Sequence, residues 1–413
     1  MPGHKGKRGF SLDITEISGA DSLFEASGII SESEHNMSSL YGTSETVYSA
    51  GGSTLCIQTM LALMKQDNRR VFAIRNVHRA FLNAAALLDM EVEWIIPRYE
   101  GGILSGEIDL HEVEKRLSES DRPSCLYVTS PDYTGKLADI AALSGICRRY
   151  GAKLLVDNAH GAHLAFFGEN LHPIALGADL CCDSAHKMLP ALTGAAMLHT
   201  SAKEYVERLK QTMSLFASTS PSYLIMASLD LCNKYISEEI RRDIAENEEY
   251  IRAFRSSFPE LFFTDGDPFH ITVKASESGY NGEELAEKLR KNGVECEYAD
   301  TELLVLLMSP MNNMDDYMRL ENALRGALDA MEKHFFAQEE FYLPKPERVM
   351  SIREAVFAET EKIPVENAEG RICAAVNVPC PPAVPIAVSG EKITREHINI
   401  FKRYSIPTVN VVK

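Results

Sequence analysis

Between Gly51 and Thr200, short β-rich runs alternate with helical stretches, and few folds accept that pattern. The runs are VFAI (71–74), VEWII (92–96), CLYVT (125–129), KLLVD (153–157), DLCCD (179–183) and AAMLHT (195–200). Helical stretches lie between them at Thr54–Lys65, His78–Leu88, Leu110–Leu117 and Leu137–Tyr150. Runs that are apolar along most of their length belong to strands buried on both faces. Their alternation with helices predicts a mostly parallel sheet covered on either side, an α/β fold. Asp109, with Glu112 three residues on, supplies the start signal of the third helix.

Outside this block the pattern changes. Residues 1–35 are rich in Gly, Ser and charge without a sustained period, and read as an N-terminal arm. A large domain spans 36–255 and closes with long helices over 220–255, where Ile225, Leu229, Cys232 and Ile236 keep helical spacing. A second β/α set follows Pro259: HITVKA (270–275), a helix near Glu283–Lys291, ELLVLLMSP (302–310), and a helix from Asp315 to about Phe335. This set defines a smaller domain over 256–342. The link LPKPE (343–347) opens a last unit, 343–413, which holds the Pro-rich VPCPPAVP (378–385).

Composition narrows the partners. With 42 Lys+Arg against 59 Asp+Glu the net charge is −17, which disfavours nucleic acid, whose binding needs a basic face. The longest nearly apolar stretch, Leu55–Met64, is too short for a bilayer and contains Gln58 and Thr59. The start, MPGHKGKRGF, has charge but no apolar stretch after it, so it is no secretory signal. Nine Cys without a CxxC fit reduced thiols in a cytoplasm better than disulfides or a metal site.

Three segments could carry chemistry. Gly51-Gly52-Ser53-Thr54 before a helix can cradle an anion with backbone N–H groups and hydroxyls. Asp157 ends an apolar strand, where α/β sheets place ligands. Lys187, in Ser184-Ala185-His186-Lys187, follows a strand and precedes apolar residues, and lysine is the side chain that forms Schiff bases. Taken singly, each has an ordinary reading: a capped turn, a strand-end cap, a surface lysine. Together and in this order they supply a phosphate site, a pyridinium partner and an aldehyde partner, which is what pyridoxal 5′-phosphate (PLP) requires. His78, near another strand end, adds a flat ring that could stack on the cofactor.

These segments resemble the bacterial ornithine/lysine/arginine decarboxylases over nearly the whole chain. Pro2-Gly3-His4-Lys5-Gly6 and Asp13-Ile14-Thr15-Glu16 resemble the family's PGHK and DITE segments. Gly52-Ser53-Thr54, Arg75-Asn76-Val77-His78, and Thr129-Ser130-Pro131 with Tyr133 and Gly135 resemble its phosphate loop, RNxH and TSPTYxG. Val156-Asp157 with Ala159-His160-Gly161-Ala162-His163 resembles VDEAHGAH, and Ser184 to Thr193 resembles SxHKxLPALT. Arg353-Glu354-Ala355, Gly370-Arg371-Ile372, Pro381-Pro382 and Gly390-Glu391 resemble its C-terminal domain.

The resemblance implies a PLP-dependent fold of the aspartate-aminotransferase type (fold type I), with a mostly parallel large domain and smaller α+β C-terminal parts. It implies that Lys187 holds PLP as a Schiff base, that Asp157 pairs with the pyridine nitrogen and that His78 stacks on the ring. Gly52, Ser53, Thr54, Ser184 and His186 would bind phosphate. Ala159 would pack on the other ring face, with His160 close by. It further implies a homodimer with shared active sites, the arm and His4 reaching toward the neighbour, in the compact form without an N-terminal wing domain. The activity implied is decarboxylation of a basic amino acid, lysine or arginine ahead of ornithine, for polyamine biosynthesis. A carboxylate should then select the distal cation, with Asp132 and Glu391 as candidates.

The chain departs from the family at Phe24, Asp132 and Asn158, where His, Thr and Glu are common, and in Pro379-Cys380-Pro381-Pro382-Ala383-Val384-Pro385. These changes keep two other readings open: a PLP-dependent aminotransferase or lyase on a modified basic amino acid, and a non-catalytic PLP-binding homologue.

Overall fold

The computed structural model describes residues 2–336, 341–374 and 384–413. In chain order the strands are β1 (Glu45–Ser49), β2 (Arg70–Ile74), β3 (Val92–Ile95), β4 (Arg98–Glu100), β5 (Gly102–Glu107), β6 (Ser124–Thr129), β7 (Lys153–Asp157), β8 (Leu180–Asp183), β9 (Ala196–Thr200), β10 (His270–Lys274), β11 (Tyr298–Ala299), β12 (Leu303–Leu307), β13 (Thr360–Pro364) and β14 (Thr408–Val412). Seven of them form the central sheet, in the order β1-β9-β8-β7-β6-β2-β3. Five neighbours, β3, β2, β6, β7 and β8, run parallel, while β9 is antiparallel to both β8 and β1.

Strand composition explains the two-sided cover. On β6, Cys125 and Tyr127 enter one apolar cluster while Leu126 and Val128 enter another. On β7, Leu155 joins the first, and Leu154 and Val156 the second. A strand with apolar residues at successive positions can satisfy both faces only between helical layers. Helices Gly52–Gln66 and Arg79–Leu88 supply one layer; Leu110–Ser118 and Ile140–Arg149 supply the other.

Among the elements absent from the sequence pattern, two open the large domain. The helix Ile29–Tyr41 lies largely within the expected arm, and its buried face mixes Ser33, Glu34 and Ser38 with Ile30, Met37 and Tyr41. Those polar residues blur the apolar period. β1 hides for the same reason: buried Thr46 bonds to His199 Nδ1 at 2.9 Å, a partner visible only after folding. The helix expected to reach about Phe335 ends instead at Asp329, and Phe335 is exposed.

Beyond the large sheet, β10, β12 and β11 form an antiparallel sheet in that order, packed by helices Gly282–Lys291 and Met314–Asp329. The last unit pairs β13 with β14. It draws Ile103 and Leu104 of β5 into its core, so the β4–β5 hairpin of the large domain reaches across to it. One buried ion pair reinforces this seam. Arg75 Nη1 and Nη2 donate to the two carboxylate oxygens of Glu391 at 2.8 and 2.7 Å, and Val388 N–H donates to Oε2. The Pro-rich residues Pro379–Ala383 lie outside the described residues. Among the described residues no helix is long and apolar enough to cross a membrane.

Candidate active site

Strands β2, β6, β7 and β8 end on one edge of the sheet, and their C-terminal residues enclose a cavity of about 360 Å³. This is where open α/β sheets gather ligands. Gly52, Ser53, Thr54, His78, Asp157, Ala159, His160, Ser184, His186 and Lys187 all line it.

One wall suits a phosphate. The helix Gly52–Gln66 begins at the cavity, and its first N–H groups have no intrahelical partner. Gly52 takes φ 70°, in the left-handed region that favours glycine. Ser184 Oγ donates to Ser53 Oγ at 2.9 Å, which ties the Lys187 segment to this helix start. His186 Nδ1 lies 3.0 Å from the Ala195 carbonyl, so it carries the proton there.

Asp157 forms the opposite pole. It is 2% exposed, paired in register with Thr129 on β6 and Cys182 on β8. Tyr127 Oη donates to its Oδ2 at 3.1 Å and Ala159 N–H to its Oδ1 at 3.2 Å. Burial, then the Asp157 charge, pushes the Tyr127 phenol far up, so it keeps its proton and remains a donor. His78 caps the helix Arg79–Leu88: its Nδ1 accepts Ala80 N–H at 3.1 Å. Burial lowers its pKa despite Asp157 nearby, leaving a neutral, flat ring at the cavity. Lys187 Nζ lies 2.6 Å from His160 Nε2.

The other candidates divide: one reaches the cavity and two do not. Asp132 lines the cavity, but its Oδ1 accepts Thr134 N–H, the Thr134 hydroxyl and Lys136 N–H, so that oxygen serves its own loop. Glu391 is spent on Arg75 and is not among the lining residues. His4 pairs with Asp13 at 3.0 Å within the arm, away from this cavity. Sequence reading overlooked Glu297, which lines the cavity and accepts a 2.6 Å hydrogen bond from Tyr133 Oη. It also overlooked His270 and Asp267, which continue the chain of contacts from His160. None of the three sits in a recognisable motif. Asn76, Thr129 and Tyr133 stand in the quoted segments, and that was the available signal for them.

The residues present fit PLP. Asn76 Oδ1 and Thr129 Oγ1 are buried, line the cavity and have no hydrogen-bond partner. Orphaned polar atoms around an anion cradle, a strand-end carboxylate and a lysine amine call for a polar aromatic occupant. Fold and site together define a PLP-dependent enzyme of fold type I.

Comparison with known proteins agrees. The chain belongs to the Orn/Lys/Arg decarboxylase family: the major domain matches residues 3–261 and the C-terminal domain residues 331–405. It is 28% identical over 437 residues to an arginine decarboxylase of Bacillus subtilis, covering 97% of this chain and 89% of that one. The Francisella novicida lysine decarboxylase LdcF superposes with TM-score 0.82 at 17% identity, over 100% of this chain and 78% of that one. A chain described as SPT with PLP shares the fold at TM-score 0.56 and 16% identity, covering 73% and 76%.

Proposed function

We propose that the protein decarboxylates arginine or lysine to the corresponding amine and CO₂, with PLP as cofactor. The observation that carries this is the single cavity that receives Lys187 from the end of β8, Asp157 from the end of β7 and the helix start at Gly52. When bound, PLP withdraws the electron pair left at Cα as CO₂ departs. The chain's own residues do the rest. Asp157 holds a proton on the ring nitrogen, because a carboxylate beside a cationic nitrogen favours its protonated form. Ser53, Thr54, Ser184, His186 and the N–H groups after Gly52 anchor the phosphate. His78 and Ala159 confine the ring between them, and Lys187 moves protons at its Nζ.

Selectivity for a cationic side chain needs a carboxylate within the cavity. Glu297, held by Tyr133, offers one; Asp132, bonded to its own loop and to the Ser105 side chain, offers a second. Glu391 acts at a distance, by fixing the C-terminal unit through Arg75. We further propose a cytoplasmic homodimer with shared sites, His4 and the arm extending toward the neighbour, that supplies amines for polyamine biosynthesis. The domain limits 1–35, 36–255, 256–342 and 343–413 belong to the same reading.

The test is a product assay on arginine, lysine, ornithine and their hydroxylated relatives, with amine and CO₂ both measured. Release of a 2-oxo acid in place of CO₂ overturns decarboxylation. The protein should be yellow, and borohydride should fix the cofactor onto Lys187. Asp157→Ala should lower turnover by about 10²–10³-fold while the chain stays folded.

A further inference from the structure

A line of buried side chains runs from the cavity into the β10 unit. His160 Nδ1 lies 3.0 Å from His270 Nε2, and His270 Nδ1 lies 2.8 Å from Asp267 Oδ2. On the other carboxylate oxygen, Asp267 Oδ1 receives His163 Nε2 at 3.0 Å and Phe269 N–H at 3.2 Å. Each of these four side chains is 5% exposed or less.

The chemistry of the far end sets the direction of the near one. Burial alone would raise the Asp267 pKa, but the imidazoles of His163 and His270 hold it well below the usual carboxylate range. A carboxylate can only accept, so His270 presents Nδ1–H to it. In the neutral form of His270 the Nε2 is a lone pair, which takes Nδ1–H of His160. His160 Nε2 is left as a lone pair, aimed at Lys187 Nζ. Burial first, and then the Lys187 ammonium, push the His160 pKa far down, so its resting ring is neutral. The Tyr133 ring flanks it at 5.1 Å. Arg255, whose Nη2 donates to the His270 carbonyl at 3.3 Å, is the further cation beside the far end.

Position is fixed as firmly as protonation. Asp267 N–H donates to the Gly135 carbonyl at 2.8 Å, and a Cβ at Gly135 would meet His270 Cβ at 2.4 Å. The loop after β6 therefore seats the β10 unit against the cavity.

We propose that Asp267, His270 and His160 form a one-way hydrogen-bond relay that fixes the His160 Nε2 lone pair on Lys187 Nζ and makes His160 the group that exchanges a proton with that lysine. His160 is then a catalytic residue, and His270 and Asp267 are positioning residues. When the Lys187 ammonium becomes the amine that adds to a carbonyl, an Nζ–H bond breaks and an Nε2–H bond forms. The resulting imidazolium keeps its Nδ1–H on His270, whose own Nδ1–H stays on the Asp267 carboxylate. The proton returns along the same bond in the reverse step. The inference rests on reading Lys187 as the Schiff-base lysine.

The substitution Asp267→Asn tests it. Phe269 N–H and His163 Nε2–H both point at Oδ1, so the amide oxygen takes that place and the amide NH₂ faces His270. His270 must then carry its proton on Nε2, and His160 must turn an N–H toward Lys187. The readouts use cofactor-free protein labelled with ¹⁵N-histidine. At about pH 7.5 the His160 proton should sit on Nδ1 in the wild type and on Nε2 in the variant. PLP capture should slow about a hundredfold in the variant, with the gap narrowing as pH rises and Lys187 loses its proton to solvent. A wild-type His160 protonated on Nε2, or on both nitrogens, overturns the relay, and this measurement stands even if the variant fails to fold. Capture within twofold of wild type, or slowed equally at every pH as a purely structural defect would be, also overturns it. A wild type that captures no PLP defeats the cofactor reading instead, while the tautomer result still decides the relay.

Discussion

Among the described residues, two buried His–Asp–His clusters have the same composition. Asp267 lies between His163 and His270; Asp183 lies between His172 and His199, at 3.1 and 3.2 Å. In both, imidazoles outweigh burial and hold the carboxyl well below its usual range. They differ at their ends. His172 Nδ1 accepts Ile174 N–H, His199 Nδ1 bonds to Thr46, and Asn158 Nδ2 donates to Asp183 Oδ1 at 2.7 Å. Tyr41 packs against both rings, and no member of this cluster lines the cavity. The Asp183 cluster is closed, whereas the Asp267 cluster hands its direction on to His160 and Lys187. Identical side chains thus become scaffold or chemistry according to whether one end opens on the cavity.

The largest expected effect separates the two in rate. Asp267→Asn should lower turnover by about 10²–10⁴-fold, whereas Asp183→Asn should leave the turnover of folded protein within about threefold. Steady-state decarboxylation by both variants checks this, and equal losses would erase the distinction. Stability should show the reverse ranking. Asp183→Asn sets an amide NH₂ either against Asn158 Nδ2 or against the His172 and His199 rings, and should cost about 2–4 kcal/mol, read by urea unfolding.

Acid should expose both clusters together. A carboxyl held below its unfolded pKa contributes stability that is present above the unfolded value, about 4, and is lost as pH falls through the depressed folded value. The steep loss should therefore begin below about pH 4, and Asp183→Asn should flatten it. Glu34 gives the smallest and opposite effect. It lacks imidazole partners, so burial outweighs Lys210 and raises its pKa to about 7. It binds its proton more tightly folded than unfolded, so stability should fall as pH rises from about 4.5 to 7. Glu34→Gln should remove that slope in unfolding curves taken across the interval.

Legibility followed sequence distance. Ser53, His78, Asp157, His186 and Lys187 each lie within a few residues of a strand end or a helix start, so motif and element could be read together. The relay could not be read that way. His160 and His270 are 110 residues apart, and HITVKA looked like an ordinary strand whose first residue happened to be histidine. Glu297 stands in an unpatterned loop before β11. Of the two acids in family segments, Asp132 lines the cavity and Glu391 does not, and Glu297, bonded to Tyr133, joins Asp132 there. The partners that occupy the other two, the Asp132 loop and Arg75, leave no trace in a linear pattern.

The amino-acid sequence by itself determined the parallel α/β core and the cofactor, and offered Lys187 as the lysine to hold it. Apolar runs bury on both faces whatever the loops do, and motif residues carry their chemistry at short range. Only the tertiary structure decided which histidine meets Lys187, which nitrogen faces it and that Glu297 joins Asp132 at the cavity. Those outcomes come from residues far apart in the chain that meet only when the β10 unit seats against the loop after β6.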